Sequence, residues 1–243
     1  MVKSRFNIYE KKFIISTGDA NRLLNRVSDR FETDRKINDE GCYRIASIYF
    51  DTMGNDMVRH SIQKPKFNEL VTLRSYVDGP YRDTVIWEIK KRYYGLVDIR
   101  TARMKLNEAA GYMESEILPE YMTEEDREVM RGIDLMRKQH DLKPELFVSF
   151  DRESFVGKEI PGMRLTFDFN LASRRYDIDF AHGNAGEELL DEDLCIMQIK
   201  SKDSIPEWML QTLSDLRIYS AGFSKFGVEY LRRIKEYNYA SIT

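Results

Sequence analysis

The chain has 243 residues, 42% hydrophobic and 33% charged, which is typical of one globular domain over residues 1–243 and excludes a disordered chain. Its net charge of −3 argues against non-specific nucleic-acid binding, which favours a basic excess. Two cysteines and three histidines exclude a disulfide framework and a histidine-rich metal centre. No apolar stretch suits a membrane span or a secretory leader, so we expect a soluble, cytoplasmic protein.

Period-two alternation of apolar and polar residues predicts nine strands. They cover residues 5–15, 43–50, 67–77, 84–92, 96–104, 145–155, 163–171, 174–180 and 194–200. Helices are predicted after Asp19, from Thr123 to about Gln139, after Ser204 and Pro206, and after Phe226. Because strands outnumber helices and often follow one another after a turn, we predict an α+β fold. Its antiparallel sheet or barrel should have the helices packed outside.

Cations lie mid-strand in at least six of these strands, with apolar neighbours facing the other way. They are Lys12, Arg74, Lys90, Arg100, Arg152, Arg164 and Lys200. A sheet with one solvated face explains any single case. If the sheet closes, however, these side chains line its interior, where bare charges are costly. A bound polyanion resolves that conflict, since Arg pairs with phosphate oxygens bidentately and Lys adds a point charge. The pattern alone leaves both interpretations open.

Nine short motifs occur in order over residues 5–230. They are YEKKFII, SIYFDT, TLRSY, WEIKKRYYG, FDRESF, MRLTFD, MQIK, IPEWM and FSKF. With them the chain resembles the VTC domain, the polyphosphate-polymerase branch of the CYTH-like triphosphate tunnel metalloenzymes. The resemblance implies a closed antiparallel eight-stranded β-barrel tunnel with helices outside. It also implies Mn²⁺ or Mg²⁺ as cofactor, and transfer of the γ-phosphoryl group of ATP to inorganic polyphosphate.

The resemblance also implies roles for individual residues. Catalytic cations would be Lys12, Arg74, Lys90, Arg152, Arg164, Lys200 and Lys225. Arg100 and Ser224 would bind phosphate, and Glu10, Glu88 and Gln198 would hold the metal. Three positions depart from the family pattern. Thr72 replaces an arginine, and Gln198 replaces a glutamate that would bind the metal more strongly. Gly222 stands where some relatives have a lysine.

Alternatives therefore stay open beside the polymerase. The chain is also consistent with a module that binds polyphosphate or triphosphate but has impaired catalysis, or with a tunnel triphosphatase. A GxxxxGK[ST] loop is absent from the sequence, which excludes a P-loop nucleotide site. A partner in a membrane is compatible with the family, although we expect no membrane span in this chain.

Overall fold

A computed structural model describes residues 8–35, 39–78, 81–94, 96–202 and 204–240, without the side chains of residues 237–240. The start of the first predicted strand, residues 5–7, lies outside the described residues. Ten strands and six helices occur within these ranges, in the order β1 (Ile8–Ser16), α1 (Thr17–Val27), β2 (Phe31–Thr33), β3 (Cys42–Asp51), α2 (Asp56–Ile62), β4 (Phe67–Tyr76), β5 (Thr84–Tyr93), β6 (Leu96–Lys105), α3 (Leu106–Ser115), α4 (Glu124–His140), β7 (Lys143–Gly157), β8 (Arg164–Arg174), β9 (Glu187–Glu188), β10 (Leu194–Ser201), α5 (Glu207–Asp215) and α6 (Lys225–Ala240).

The strands form one sheet whose pairings are antiparallel, in the order β2-β7-β3-β4-β5-β6-β1-β10-β8-β9. An additional pairing joins β7 to β8, so eight strands follow one another in a ring of hydrogen-bonded neighbours, while β2 and β9 are attached at its sides. The predicted α+β class and the large antiparallel sheet are confirmed.

The pairing between β1 and β6 is the shortest in this ring. It joins Ile8 to Val97 and Tyr9 to Leu96, whereas β1 pairs with β10 from Tyr9 to Ser16. Further along β1, the backbone N–H of Ala221 donates to the carbonyl of Lys12 at 2.9 Å. A loop before α6 therefore supplies part of the hydrogen bonding that β6 does not give to β1.

Two apolar clusters pack helices against one face of the ring, which we call the outer face. Leu23 of α1 and Met209 of α5 join Phe13 and Met197 in the first cluster. Ile133 of α4 belongs to the second, with Trp87 and other residues from β3 to β6. The opposite face of the same strands is the inner face. The predicted helices α1, α4 and α5 thus pack on the outer face, and so does α3.

The last helix departs from that prediction. Phe226 is fully buried and, with Phe223, packs against Ile45, Val148 and Phe150. Ile45 of β3 pairs with Phe150 on the neighbouring strand, and two residues further along β3 Ser47 pairs with Arg74. Residues two apart in a strand share a face, so this cluster belongs to the inner face. The start of α6 therefore fills part of the inner space. A sequence pattern that marks a residue as buried does not say which face of the sheet buries it.

Some local predictions were right and others wrong. Thr123 caps α4 as predicted, accepting from the N–H of Asp126 at 3.1 Å. The first helix is capped by Ser16, which accepts from the N–H of Asp19 at 3.0 Å, so Asp19 is not its cap. The predicted strand over residues 174–180 is wrong: β8 ends at Arg174 and a compact loop follows. The short elements α2, α3, β2 and β9 were not predicted.

Within the described residues, no helix is long and apolar enough to cross a membrane.

Candidate anion-binding site on the inner face of the ring

The antiparallel register places charged residues of neighbouring strands on the inner face. Glu10 of β1 lies opposite Lys200 of β10, and Lys200 lies opposite Arg164 of β8. One inner-face step further along β1, Lys12 lies opposite Gln198. Residues directly opposite one another in an antiparallel pair share a face, so these side chains point into the same space.

Glu10 is the centre of the first group of charges. Its carboxylate accepts from Lys90 Nζ at 2.6 and 3.0 Å and lies 3.6 Å from Lys12 Nζ and 3.7 Å from Arg92 Nη2. The side-chain amide of Gln198 also donates to it. One carboxylate is therefore surrounded by three cations and an amide.

The electrostatics of Glu10 follow from these neighbours. Burial alone would raise the pKa of this carboxyl group, because a charge is poorly solvated in the interior. The positive charges of Lys90, Lys12 and Lys200 outweigh that effect and hold the pKa of Glu10 well below its ordinary value. Glu10 is therefore ionised at neutral pH.

Asp168 of β8 is the centre of the second group. Its two oxygens accept from Arg152 Nε at 2.6 Å and from Arg152 Nη2 at 2.8 Å, and Lys225 Nζ donates to it at 2.5 Å. The Lys225 ammonium also lies 4.0 Å from the centre of the Phe150 ring. Lys225 thus stands at the border between the charged part of the inner face and its apolar part.

The third group contains buried polar atoms without partners. Arg74 Nη2 lies 3.5 Å from Glu88. Within the described part of the chain, Arg74 Nε and the hydroxyls of Ser47, Thr72 and Thr166 are buried and have no hydrogen-bond partner. Buried polar groups in native proteins are nearly always paired, so these atoms are candidates for contacts to a ligand.

Positive charge exceeds negative charge among these residues. The cations are Lys12, Arg74, Lys90, Arg92, Arg152, Arg164, Lys200 and Lys225, and the carboxylates paired with them are Glu10, Glu88, Asp168 and Asp34. Eight cations therefore face four carboxylates. An excess of this size in the interior is costly unless an anion binds there.

The pKa values of three lysines are lowered in this environment. Burial, reinforced by neighbouring cations, lowers the pKa of Lys12 to about 7. The same cause lowers the pKa of Lys200 to about 8 and that of Lys225 to about 8. A bound polyanion would favour the protonated form of each ammonium group.

A cavity of about 440 Å³ opens onto these groups. Arg74, Arg152, Arg164 and Lys200 line it, together with Gln198. Arg74 is on β4 and Lys200 on β10, which are the strands furthest apart in the ring, four pairings away in either direction. Side chains from opposite sides of the ring therefore meet at one space.

Three tyrosines extend from this cavity toward the surface. Tyr43 and Tyr76 are among its lining residues, and their ring centres lie 5.6 Å apart. The ring of Tyr81 lies 6.4 Å from that of Tyr76 and is 41% exposed. A series of aromatic rings thus runs from the buried cations to solvent.

Ten of the twelve residues suggested by the sequence lie in or beside this arrangement. They are Glu10, Lys12, Arg74, Glu88, Lys90, Arg152, Arg164, Gln198, Lys200 and Lys225. Thr72, which departs from the family pattern, also lies here with a buried hydroxyl.

The structure does not bring Arg100 to the inner face, so its assignment as a phosphate ligand does not fit the register. Lys90 lies opposite Ile99, whereas Arg100 lies opposite Ile89, which packs in the outer-face core. Arg100 instead pairs with Asp98 at 3.1 Å.

Ser224 has a structural contact rather than a place among the cations. It precedes α6, and its hydroxyl accepts from the N–H of Gly227 at 3.3 Å, as an N-cap residue does. The cap fixes the start of α6 and so positions Lys225 beside Asp168.

Sequence reasoning assigned no role to Arg92, Asp168 or Tyr49. Arg92 continues the alternation of Glu88 and Lys90, which could have revealed it. Tyr49 is deeply buried, and burial together with the charges of Glu88 and Asp168 raises its pKa to about 12 despite the opposing effect of Arg74. No sequence signal distinguishes Tyr49 from an ordinary core tyrosine.

The donor set for a divalent metal is small. No cluster of three or more His, Cys, Asp or Glu side chains suited to a metal ion occurs among the described residues. Burial, with a smaller effect from the charge of Glu10, would raise the pKa of Glu88, but Arg74 and Lys90 outweigh both and lower it. Two carboxylates and an amide oxygen are ligands of the type that Mg²⁺ and Mn²⁺ take, but they are fewer than the six oxygens of a complete site.

Comparisons with known proteins give the fold and the family of this chain. A Bacillus halodurans protein described as a "putative adenylate cyclase" is similar with a TM-score of 0.53 and 15% identity, over 90% of this chain and 95% of that one. A Vibrio parahaemolyticus protein with the same description has a TM-score of 0.48 and 10% identity, over 91% and 98%. The first likeness shows a shared fold. No curated protein matches the sequence. The VTC domain family matches residues 7–232, nearly the whole chain, and the protein belongs to that family.

Proposed function

We propose that the ring encloses a tunnel that binds ATP and inorganic polyphosphate, and that the protein transfers the γ-phosphoryl group of ATP to the polyphosphate chain. The observation that carries this proposal is the excess of eight cations over four carboxylates on the inner face. The buried hydroxyls of Thr72 and Thr166 add neutral donors that can reach phosphate oxygens.

Phosphoryl transfer requires the protein mainly to position the phosphates and to neutralise their negative charge. A terminal oxygen of the polyphosphate attacks the γ-phosphorus, the bond from that phosphorus to the β–γ bridging oxygen breaks, and ADP leaves. Positioning and neutralisation of charge supply most of the rate in such transfers. Arg152, Arg164 and Arg74 would orient the phosphates through bidentate contacts, and the lysines would add charge between them.

A divalent metal would complete the charge balance. Glu10, Glu88 and Gln198 would hold it, and when bound it would neutralise negative charge on the transferred phosphoryl group.

A second function is favoured by one observation. Gln198 offers a neutral amide where a carboxylate would attract Mg²⁺ or Mn²⁺, and its amide nitrogen donates to Glu10. A module that binds triphosphate or polyphosphate with little turnover is therefore the alternative.

Incubation with ATP, polyphosphate primer and Mn²⁺ separates these functions. We expect longer polyphosphate, with one ADP released for each phosphoryl group added. Orthophosphate with ADP would indicate a triphosphatase, and cyclic AMP with pyrophosphate a cyclase. Binding of tripolyphosphate without any product would favour the binding module.

A matched pair of arginines tests the location of the site. Arg164 and Arg100 are 37% and 36% exposed, and each pairs with an aspartate, Asp34 and Asp98. Arg164→Ala should weaken tripolyphosphate binding about tenfold or more, as expected for a charge-assisted contact. Arg100→Ala, on the outer face, should leave it unchanged. Equal effects of both substitutions would place the anion elsewhere.

A further inference from the structure

We propose that Tyr76 and Tyr81 form a stacking platform for the base of a nucleoside triphosphate at the mouth of the cavity. The inference rests on the proposed function, since it assumes that the phosphates occupy the cationic interior. It adds a site for the base, and contacts at this site would let the protein distinguish a nucleotide from inorganic tripolyphosphate.

The position of the two rings is the first argument. Tyr76 is the last residue of β4, two residues after Arg74, so both side chains are on the inner face. The register confirms this, since Tyr76 lies opposite Ile45 and Arg74 lies opposite Ser47. Tyr76 and Arg74 also both line the cavity. A ligand whose phosphates contact Arg74 therefore passes Tyr76 on its way to solvent.

Backbone hydrogen bonds define the chain on either side of the turn that contains Tyr81. The carbonyl of Tyr81 accepts from the N–H of Thr84 at 2.9 Å, which forms the turn that begins β5. Beside it, the N–H of Val77 donates to the carbonyl of Arg44 at 3.0 Å and holds the end of β4. Tyr81 is thus a partly exposed aromatic residue at a defined turn, and its ring contacts Tyr76, which lines the cavity.

The arrangement of charge is the second argument. Arg74 and Arg152 line the cavity with side chains that are only 25% and 14% exposed. The ring contact from Tyr76 leads to Tyr81, which is 41% exposed. A nucleoside triphosphate has the same order of chemistry, with anionic phosphates at one end and an aromatic base at the other. Inorganic polyphosphate has no group that would use the rings.

Aromatic rings of this kind stack with any base. Stacking of a base on a tyrosine depends on exposed ring surface and tolerates differences between bases. Tyr81 is 41% exposed and so offers ring surface, and its ring contacts that of Tyr76 with an angle of 55° between the planes. The platform therefore predicts affinity for nucleotides in general over tripolyphosphate.

Isothermal titration of ATP and of tripolyphosphate, at one fixed Mg²⁺ concentration, tests the proposal. We expect Tyr81→Ala to weaken ATP binding about tenfold, equivalent to about 1.4 kcal/mol, and to leave tripolyphosphate binding unchanged. Tyr81→Phe keeps the ring and should retain the wild-type ATP affinity. Tyr121→Ala removes a tyrosine of similar exposure, 52%, that contacts Glu108 and Lys105 away from the cavity, and should change neither ligand.

The outcomes separate the platform from the proposed function. If Tyr81→Ala weakens both ligands equally, or neither, the platform is wrong while the anion site stands. If the wild-type protein binds neither ATP nor tripolyphosphate, the proposed function itself fails.

Discussion

Replacing Asp168 by asparagine removes the charge that holds two buried cations in place. Arg152 donates to this carboxylate through two nitrogens and Lys225 through its ammonium group, and Asp168 is almost fully buried. Breaking a buried ion pair from one side costs about 3–5 kcal/mol, because the remaining charge is left unpaired. At about 2–4 °C per kcal/mol for a domain of this size, the melting temperature should fall by about 6–20 °C.

Tripolyphosphate should reverse much of that loss. Phosphate oxygens can supply the negative charge that Arg152 and Lys225 lack in Asp168→Asn, so the variant should gain more from saturating ligand than the wild-type protein does. Thermal unfolding with and without tripolyphosphate measures both effects.

Asp151→Asn is the matched control. Asp151 accepts from Arg44 at 2.6 and 2.9 Å, but its side chain is 21% exposed and Arg44 is 43% exposed. A pair so open to solvent contributes about 1 kcal/mol or less, and no inner-face cation depends on it. Equal loss in the two variants, or a deficit in Asp168→Asn that tripolyphosphate leaves untouched, would refute the reasoning.

The difference in stability between the wild-type protein and Asp168→Asn depends on pH through the charge of Asp168. Arg152 and Lys225 outweigh the effect of burial and hold the pKa of Asp168 below its ordinary value. Its contribution to stability is therefore present above the unfolded pKa, about 3.9, and is lost as the pH falls through the folded pKa. The wild-type protein and Asp168→Asn should differ fully at pH 6–7 and converge only in strong acid.

Two further predictions concern the metal and the lysines. Gln198→Glu should reach half-maximal ADP release at a lower Mn²⁺ or Mg²⁺ concentration, because a carboxylate attracts the ion more strongly than an amide; equal metal dependence would mean that Gln198 does not contact the metal. Tripolyphosphate affinity should fall as the pH rises from 6 to 9, because the pKa of Lys12 is about 7 and that of Lys200 about 8, so both lose charge in this range. Lys12→Arg should flatten the decline measured by titration calorimetry, since arginine stays protonated.

Most of the sheet could be predicted because its strands alternate regularly. In β5 the sequence Trp87, Glu88, Ile89, Lys90 states which residues share a face, and the structure puts Glu88 and Lys90 on the inner one. The end of β8 could not be predicted in this way. Arg174 donates to the carbonyls of Asp177, Asp179, Gly183 and Ala185, and these bonds stabilise a compact loop where alternation suggested another strand.

The candidate site was harder to predict where it depends on pairing between strands. Alternation correctly separated Arg100 from Val97 and Ile99, but only the register with β5 shows that Arg100 is on the outer face. The inner position of Phe226 could not be predicted either, since an apolar residue near the start of a helix can pack against either face of the sheet. Asp168 stood in a recognised motif, yet its contacts come from β7 and α6, far away in the chain.

The pairing of β1 with β10 has a consequence for synthesis on the ribosome. Glu10 and its partner Gln198 are 188 residues apart, so at about 5–20 residues per second β1 is made about 10–40 s before β10. During that interval β1 has no long neighbour, and an unpaired strand edge is a template for aggregation. The charges of Glu10, Lys11 and Lys12 oppose such association. Lys12 and Glu10, which the proposed function uses for phosphate and metal, would therefore have a second effect in the nascent chain.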